Sequence, residues 1–177
     1  MKTMAGRWTA SLVIATVLML TGFGQALSQG QLLGPETNFP LPRFVSLKSG
    51  QVNVRVGPGP NYPVDWTYVR FGLPVEIVQE FDNWRHVRDS NGNMGWVLSS
   101  LLSGDRFAIV VASPEDRALE VRSAANSDAR VVARLEAGVV AAVDMCSDGW
   151  CRLIDSRFSG WVDQERLWGV YPNEEFE

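Results

Sequence analysis

The sequence predicts an all-β chain: two tandem small β-barrels behind an N-terminal signal peptide. Three observations predict it: a basic then apolar start, one residue pattern that occurs twice, and short apolar runs separated by Gly, Pro, Asp and Asn. The 177 residues are 46% apolar and 20% charged, a foldable composition, and seven Trp beside 16 Gly suit short strands with tight turns. A net charge of −4 gives no basic footprint for nucleic acid. One His excludes multi-histidine metal sites, and two Cys exclude four-cysteine zinc and iron–sulfur ligation.

The start reads as an address. Met1 to Arg7 carries Lys2 and Arg7 and no acid, and Ala10 to Phe23 is apolar or small, with only Ser11, Thr16 and Thr21 polar. That run is short for a bilayer span, which needs about 20 residues. No Cys stands near it to carry a lipid anchor. Small residues at Ala26 and Ser28 place cleavage after Ser28, so residues 1–28 are removed. The mature chain then has 149 residues, a net charge of −6 and no membrane span. Residues 29–42 hold Gly30, Gly34, Pro35, Pro40 and Pro42 without a period, and read as a linker.

The rest is one pattern used twice. Val52-Asn53-Val54-Arg55 returns as Leu119-Glu120-Val121-Arg122, an offset of 67. Gly72 returns as Gly138, and Asp82-Asn83-Trp84 as Asp148-Gly149-Trp150, both at 66. Gly95-Trp96-Val97 returns as Gly160-Trp161-Val162 at 65. Four anchors in one order, drifting by single residues, mark one structural unit present in two copies. The units are placed at 43–103 and 104–168, with a C-terminal tail at 169–177.

Strands are expected in the first unit at 44–46, 52–55, 67–69, 75–79, 84–87 and 95–98. In the second they are expected at 107–111, 119–122, 131–135, 139–145, 150–154 and 160–162. Outside the signal no window carries a helical stripe; the nearest is a single turn over Glu115 to Val121. Short, evenly spaced strands close most readily into a small barrel.

These residues resemble the bacterial SH3-like (SH3b) domain. Val52-Asn53-Val54-Arg55, Gly57-Pro58, Tyr62-Pro63-Val64, Gly72, Trp84 and Gly95-Trp96-Val97 carry the likeness in the first unit. Leu119-Glu120-Val121-Arg122, Gly138, Asp148-Gly149-Trp150-Cys151 and Gly160-Trp161-Val162 carry it in the second. The second departs where Ala124-Ala125-Asn126-Ser127 replaces the Gly-Pro loop and Ala129 stands for Tyr62. The resemblance implies five-to-seven-stranded barrels in an exported protein, periplasmic or secreted, with a targeting or binding role in the cell envelope. It implies no reaction.

Cys146 and Cys151 flank Ser147-Asp148-Gly149-Trp150, so a hairpin turning at Asp148-Gly149 sets them across from each other. In an oxidising compartment they are expected to bridge. A redox pair has the spacing C-x-x-C, and zinc with His86 would have too few ligands drawn from two units. The equivalent positions in the first unit are Glu80 and Arg85. One hairpin is therefore expected to be tied by a disulfide and its counterpart by opposite charges.

No catalytic constellation is visible. The single histidine, His86, reads as a solvent-facing strand residue, and no H-E-x-x-H, P-loop, G-x-G-x-x-G or G-x-S-x-G occurs. Asp82 and Asp148 stand in turn positions. A non-enzymatic chain without metal or cofactor is expected. Trp84/Trp150 and Trp96/Trp161 recur in both units, which points to shared packing. Tyr62, Trp66 and Tyr68 occur in the first unit alone and suggest a binding face, with Phe81 and Trp84 beside them and the Gly57-Pro58 loop as one wall. With the resemblance, the expected ligand is cell-wall peptide or an envelope protein segment. The alternative is that these aromatics bury the contact between two rigid structural barrels. The tail mixes Trp168, Tyr171 and Phe176 with Glu174, Glu175 and Glu177. It either docks on a barrel or offers a strand to a partner.

Overall fold

The computed structural model describes residues 31–111 and 118–177. The expected signal peptide and its cleavage site lie outside the described residues. So do the first three residues of the single helical turn expected at 115–121; the other four are strand, not helix.

A small hairpin comes first: β1 (Leu32–Leu33) pairs with β2 (Pro40–Leu41). The described part of the segment read as a linker is thus folded. β3 (Arg43–Leu47), β4 (Val52–Arg55), β5 (Val64–Tyr68), β6 (Pro74–Phe81), β7 (Trp84–Arg88), β8 (Met94–Leu98) and β9 (Leu102–Ser103) then form a seven-stranded sheet in the order β5-β4-β8-β7-β6-β3-β9. β10 (Phe107–Val110), β11 (Ala118–Arg122), β12 (Val131–Glu136), β13 (Val140–Ser147), β14 (Trp150–Asp155), β15 (Phe158–Asp163) and β16 (Leu167–Trp168) repeat that order as β12-β11-β15-β14-β13-β10-β16. The longest departure from expectation is β5, which starts at Val64 and leaves Val69 78% exposed beyond its end.

Alternation explains the cores. In β4, Val52 and Val54 are fully buried while Asn53 points out; in β7 and β8, Val87 and Val97 point in. Val121, Leu153 and Val162 do the same in the second barrel. The repeated glycines have physical reasons. Gly72 and Gly138 sit at φ 71° and 83°, a left-handed backbone that side chains disfavour. At Gly95 and Gly160 a Cβ would overlap Val54 and Val121 respectively.

The two copies each fasten a flanking segment at one equivalent hairpin. Cys146 pairs with Cys151 in register and the two form a disulfide. Phe176 of the tail exchanges both backbone hydrogen bonds with Cys146, at 3.0 and 3.1 Å, so the tail docks. In the first barrel Glu80 pairs with Arg85, and Arg85 Nε lies 3.5 Å from Glu80 Oε1, as the alignment of the copies anticipates. Glu80 also receives Arg43 Nη2 (2.6 Å), Thr37 Oγ1 (2.7 Å) and the backbone N–H groups of Glu36 and Thr37 (3.0 Å each). Gly34 lies so close that a Cβ there would overlap the carboxylate. Burial alone would raise the Glu80 carboxyl, but these donors outweigh it and bring it down to about 2.

The two barrels touch through aromatic residues. Phe44 meets Trp168 edge-on at 5.1 Å and Tyr171 at 4.6 Å, and Phe71 meets Phe107 at 5.7 Å. Buried Glu76 accepts from Arg88 and, at 2.9 Å, from the Tyr171 hydroxyl. Burial, then the Glu76 charge, push the Tyr171 hydroxyl well above the ordinary tyrosine range, so it stays a donor. Arg70 Nη1 donates to the Gly138 carbonyl at 2.7 Å.

Three outcomes are expected. Replacing Cys146 and Cys151 by Ala should cost the second barrel about 2 kcal/mol in urea unfolding, because the closed loop is short. The Glu80 lock is complete above the usual carboxylate value of 4.5 and is lost as pH falls toward about 2. Protection against hydrogen exchange at residues 34–39, taken relative to the intrinsic rate at each pH, should therefore fall over that window. Glu80→Ala should show the same loss of protection at neutral pH and cost about 3 kcal/mol, since it strands two mostly buried guanidinium groups.

Candidate functional site

The residues expected to form one aromatic face divide between two sides of the first sheet. Pairing of Val52 with Tyr68 and Val54 with Trp66 turns both aromatics toward the core side, at its open edge. They are half-buried, pack against the core cluster and meet edge-on at 5.9 Å. The Tyr68 hydroxyl donates to Asp89 Oδ2 at 3.1 Å. Asp89 also accepts from the N–H groups of Asn91 and Asn93 and from Asn93 Nδ2, which knits the 89–93 loop. Burial, then the Asp89 charge, drive Tyr68 far above the ordinary tyrosine range.

Tyr62 lies in the preceding loop, 46% exposed, with its ring over Gly57 and Gly59. A Cβ on Gly57 would overlap that ring, so the Gly57-Pro58 turn and Tyr62 are one packed unit. Arg55 Nη1 donates to the Tyr62 carbonyl at 2.6 Å and ties the loop to β4. None of Tyr62, Trp66 or Tyr68 takes part in the aromatic pairs between the barrels. The matching positions of the second barrel hold Ala129, Ala133 and Leu135, the last two by register.

Phe81 and Trp84 occupy the opposite, outward side. Phe81 pairs with Trp84, and Trp84 with Leu98. The next outward row is Arg55, Trp96 and His86. His86 is therefore not simply in solvent: it stacks on Trp96 at 4.7 Å and 14°, and burial lowers its basicity. The recurring tryptophans also depart from the shared-packing expectation. Trp84, Trp96, Trp150 and Trp161 are all half-buried on outward rows and belong to neither core. Beside Trp84 a groove of about 340 Å³ is lined by Gln51, Asn53, Arg55, Leu98 and Leu101. Sequence reasoning missed these partners, although the strict alternation of β4 carries the signal: if Val52 and Val54 point in, Asn53 and Arg55 point out.

Two small antiparallel barrels of identical strand order, the first displaying unshared aromatic residues, define a tandem module of the SH3 type. The family model described as bacterial SH3 domain matches residues 48–104 and again 115–169, and the chain belongs to that family. The "Putative N-acetylmuramoyl-L-alanine amidase YrvJ" of Bacillus subtilis (strain 168) is 27% identical over 126 residues, which cover 67% of this chain and 24% of that protein. The chain thus spans about a quarter of that relative's length. Among solved structures, NlpC2 from Trichomonas vaginalis is 16% identical with a TM-score of 0.32, covering 72% of this chain and 48% of that one. NlpC1 from the same organism is 16% identical with a TM-score of 0.33, covering 76% and 48%.

Tyr68→Phe should cost about 1 kcal/mol in urea unfolding, because the hydroxyl hydrogen bond is lost while Asp89 keeps its loop donors. In ultraviolet titration, one tyrosine fewer should resist ionisation in the alkaline range.

Proposed function

We propose that this chain is an exported, non-enzymatic binding module. It recognises cell-wall peptide, or an extended segment of an envelope protein, through the first barrel. The observation that carries the reading is that Tyr62, Trp66 and Tyr68 stay accessible at the barrel edge. The barrels join through a separate aromatic set, Phe44, Phe71, Phe107, Trp168 and Tyr171. Tyr and Trp offer large contact area with a polar tip, the character of recognition surfaces for extended peptide. Membership of the bacterial SH3 family supports a binding role, and the name of the Bacillus relative supports the cell wall as the place of action. The Cys146–Cys151 disulfide suits an oxidising, extracytoplasmic setting.

One observation favours a second reading, a scaffold of two rigid barrels. The buried Glu76 carboxylate joins Arg88 of the first barrel to Tyr171 of the tail, a specific clamp rather than a loose tether. Pulldown of residues 29–177 on purified peptidoglycan sacculi separates the two. Tyr62→Ala should weaken retention, and Tyr62→Ala/Trp66→Ala should reduce it by about tenfold or more with the fold intact by circular dichroism. Equal retention of both variants, or none by the parent, would favour the scaffold.

A further inference from the structure

The outward groove of the first barrel differs from its counterpart in the second in a way that points to a ligand. Its lining combines one indole, from Trp84, with two side-chain amides, Gln51 and Asn53, and one guanidinium, Arg55. The Asn53 Oδ1 accepts from Thr67 Oγ1 at 2.8 Å, which leaves the Asn53 amide N–H groups to donate into the groove. Arg55 gives Nη1 to the Tyr62 carbonyl, and the lining contains no carboxylate. The second barrel repeats the framework, with Arg122 paired to Trp161 and Trp150 beside them. There Glu120 stands for Asn53 and Asp163 for Leu98. Glu120 Oε2 lies 2.7 Å from Arg122 Nη2, and its Oε1 lies 3.1 Å from Arg134 Nη2. The same scaffold therefore carries an arginine held by a carboxylate in one copy and, in the other, an arginine with no carboxylate partner among the described residues, in a groove that also holds an indole.

We propose that the Trp84 groove is a second binding site, for an acidic N-acylated sugar ring. The apolar face of the ring lies on Trp84, its carboxylate meets Arg55, and its acyl carbonyl or hydroxyl groups accept from Asn53 and Gln51. A guanidinium with a neutral amide neighbour selects for an anion. A planar aromatic wall with few polar groups selects for a ring rather than a free carboxylate. The choice of a wall sugar rests on the cell-wall reading above; the preference for an acidic ring rests on the lining alone.

The test titrates the full chain with N-acetylmuramic acid and with N-acetylglucosamine, which share ring and acetamide and differ by the lactyl carboxylate. Tryptophan fluorescence and backbone amide shifts report binding. The acid should bind more tightly by about fivefold, the worth of one exposed ion pair, with shifts centred on residues 51–55, 84 and 98. Arg55→Gln should erase the preference. Asn53→Glu, which copies the second barrel's own pairing at an exposed strand position, should erase it too without threat to the fold. Trp84→Ala should weaken both sugars by about tenfold. Equal affinity for the two sugars, no shifts in the groove, or equally good binding of an Ala-Glu dipeptide would overturn the proposal. Trp66→Ala, on the opposite side of the sheet from Asn53 and Arg55, should leave the sugar preference intact, so its effect on sacculus binding bears only on the first site.

Discussion

Phe81 pairs with Trp84 across Asp82-Asn83, and Ser147 pairs with Trp150 across Asp148-Gly149. With two residues in each loop, neither hairpin can slip by one position without turning every side chain to the other face. Asp82 at φ 47° and Asp148 at φ 52° accept the backbone that such turns demand. From this register follow the burial of Val87 and Leu153, the outward placement of Trp84 and Trp150, and the opposition of residues 80 with 85 and 146 with 151. The hydrophobic cores, the fastening of residues 34–39 and of the tail, and both candidate faces depend on it.

The fastening chemistry differs because the two hairpins hold different things. The 34–39 turn presents two backbone N–H groups and a hydroxyl, so a buried carboxylate suits it, and Arg43 and Arg85 balance the charge. The tail presents an extended backbone, so at Cys146 it forms a ladder instead, leaving the side chain free for the disulfide. Arg106 completes the tail's attachment, with Nη2 2.7 Å from Glu174 Oε2 and its guanidinium over the Phe176 ring at 4.6 Å. The docked tail then brings Tyr171 to Glu76, so tail and inter-barrel contact form one continuous attachment. Because these contacts use Phe44, Trp168 and Tyr171, the barrel edge at Trp66 and the groove at Trp84 remain open.

Much of this was legible in the sequence. Four anchors, each occurring twice, predict two barrels, and the offset of 66 alone relates Glu80–Arg85 to Cys146–Cys151. What stayed hidden depends on tertiary partners. Residues 31–42 show no period because they lie on another element: Gly34 is spaced for the Glu80 carboxylate, a constraint that lives 46 positions away. The paired aromatics of the first barrel look like one set by composition, and only the β-alternation separates Trp66 and Tyr68 from Phe81 and Trp84. His86 gives no hint in sequence of Trp96, its partner on the neighbouring strand.

The divergence of the copies supports the proposed placement of recognition on the first barrel. A repeat that served only to build a rigid pair would have no use for Tyr62, Trp66 and Tyr68 in one copy against Ala129, Ala133 and Leu135 in the other, since the second barrel closes its core with the smaller set. Large aromatics at a half-exposed edge add surface that water must cover, a cost that a ligand removes on binding. Arg55 lies in a groove whose lining holds no carboxylate, whereas its counterpart Arg122 meets Glu120. The second barrel, with its disulfide, its docked tail and its internally paired Arg122, has the features of a support. The first keeps half-exposed aromatics and an arginine in a groove lined by no carboxylate, which supports the binding role proposed for it.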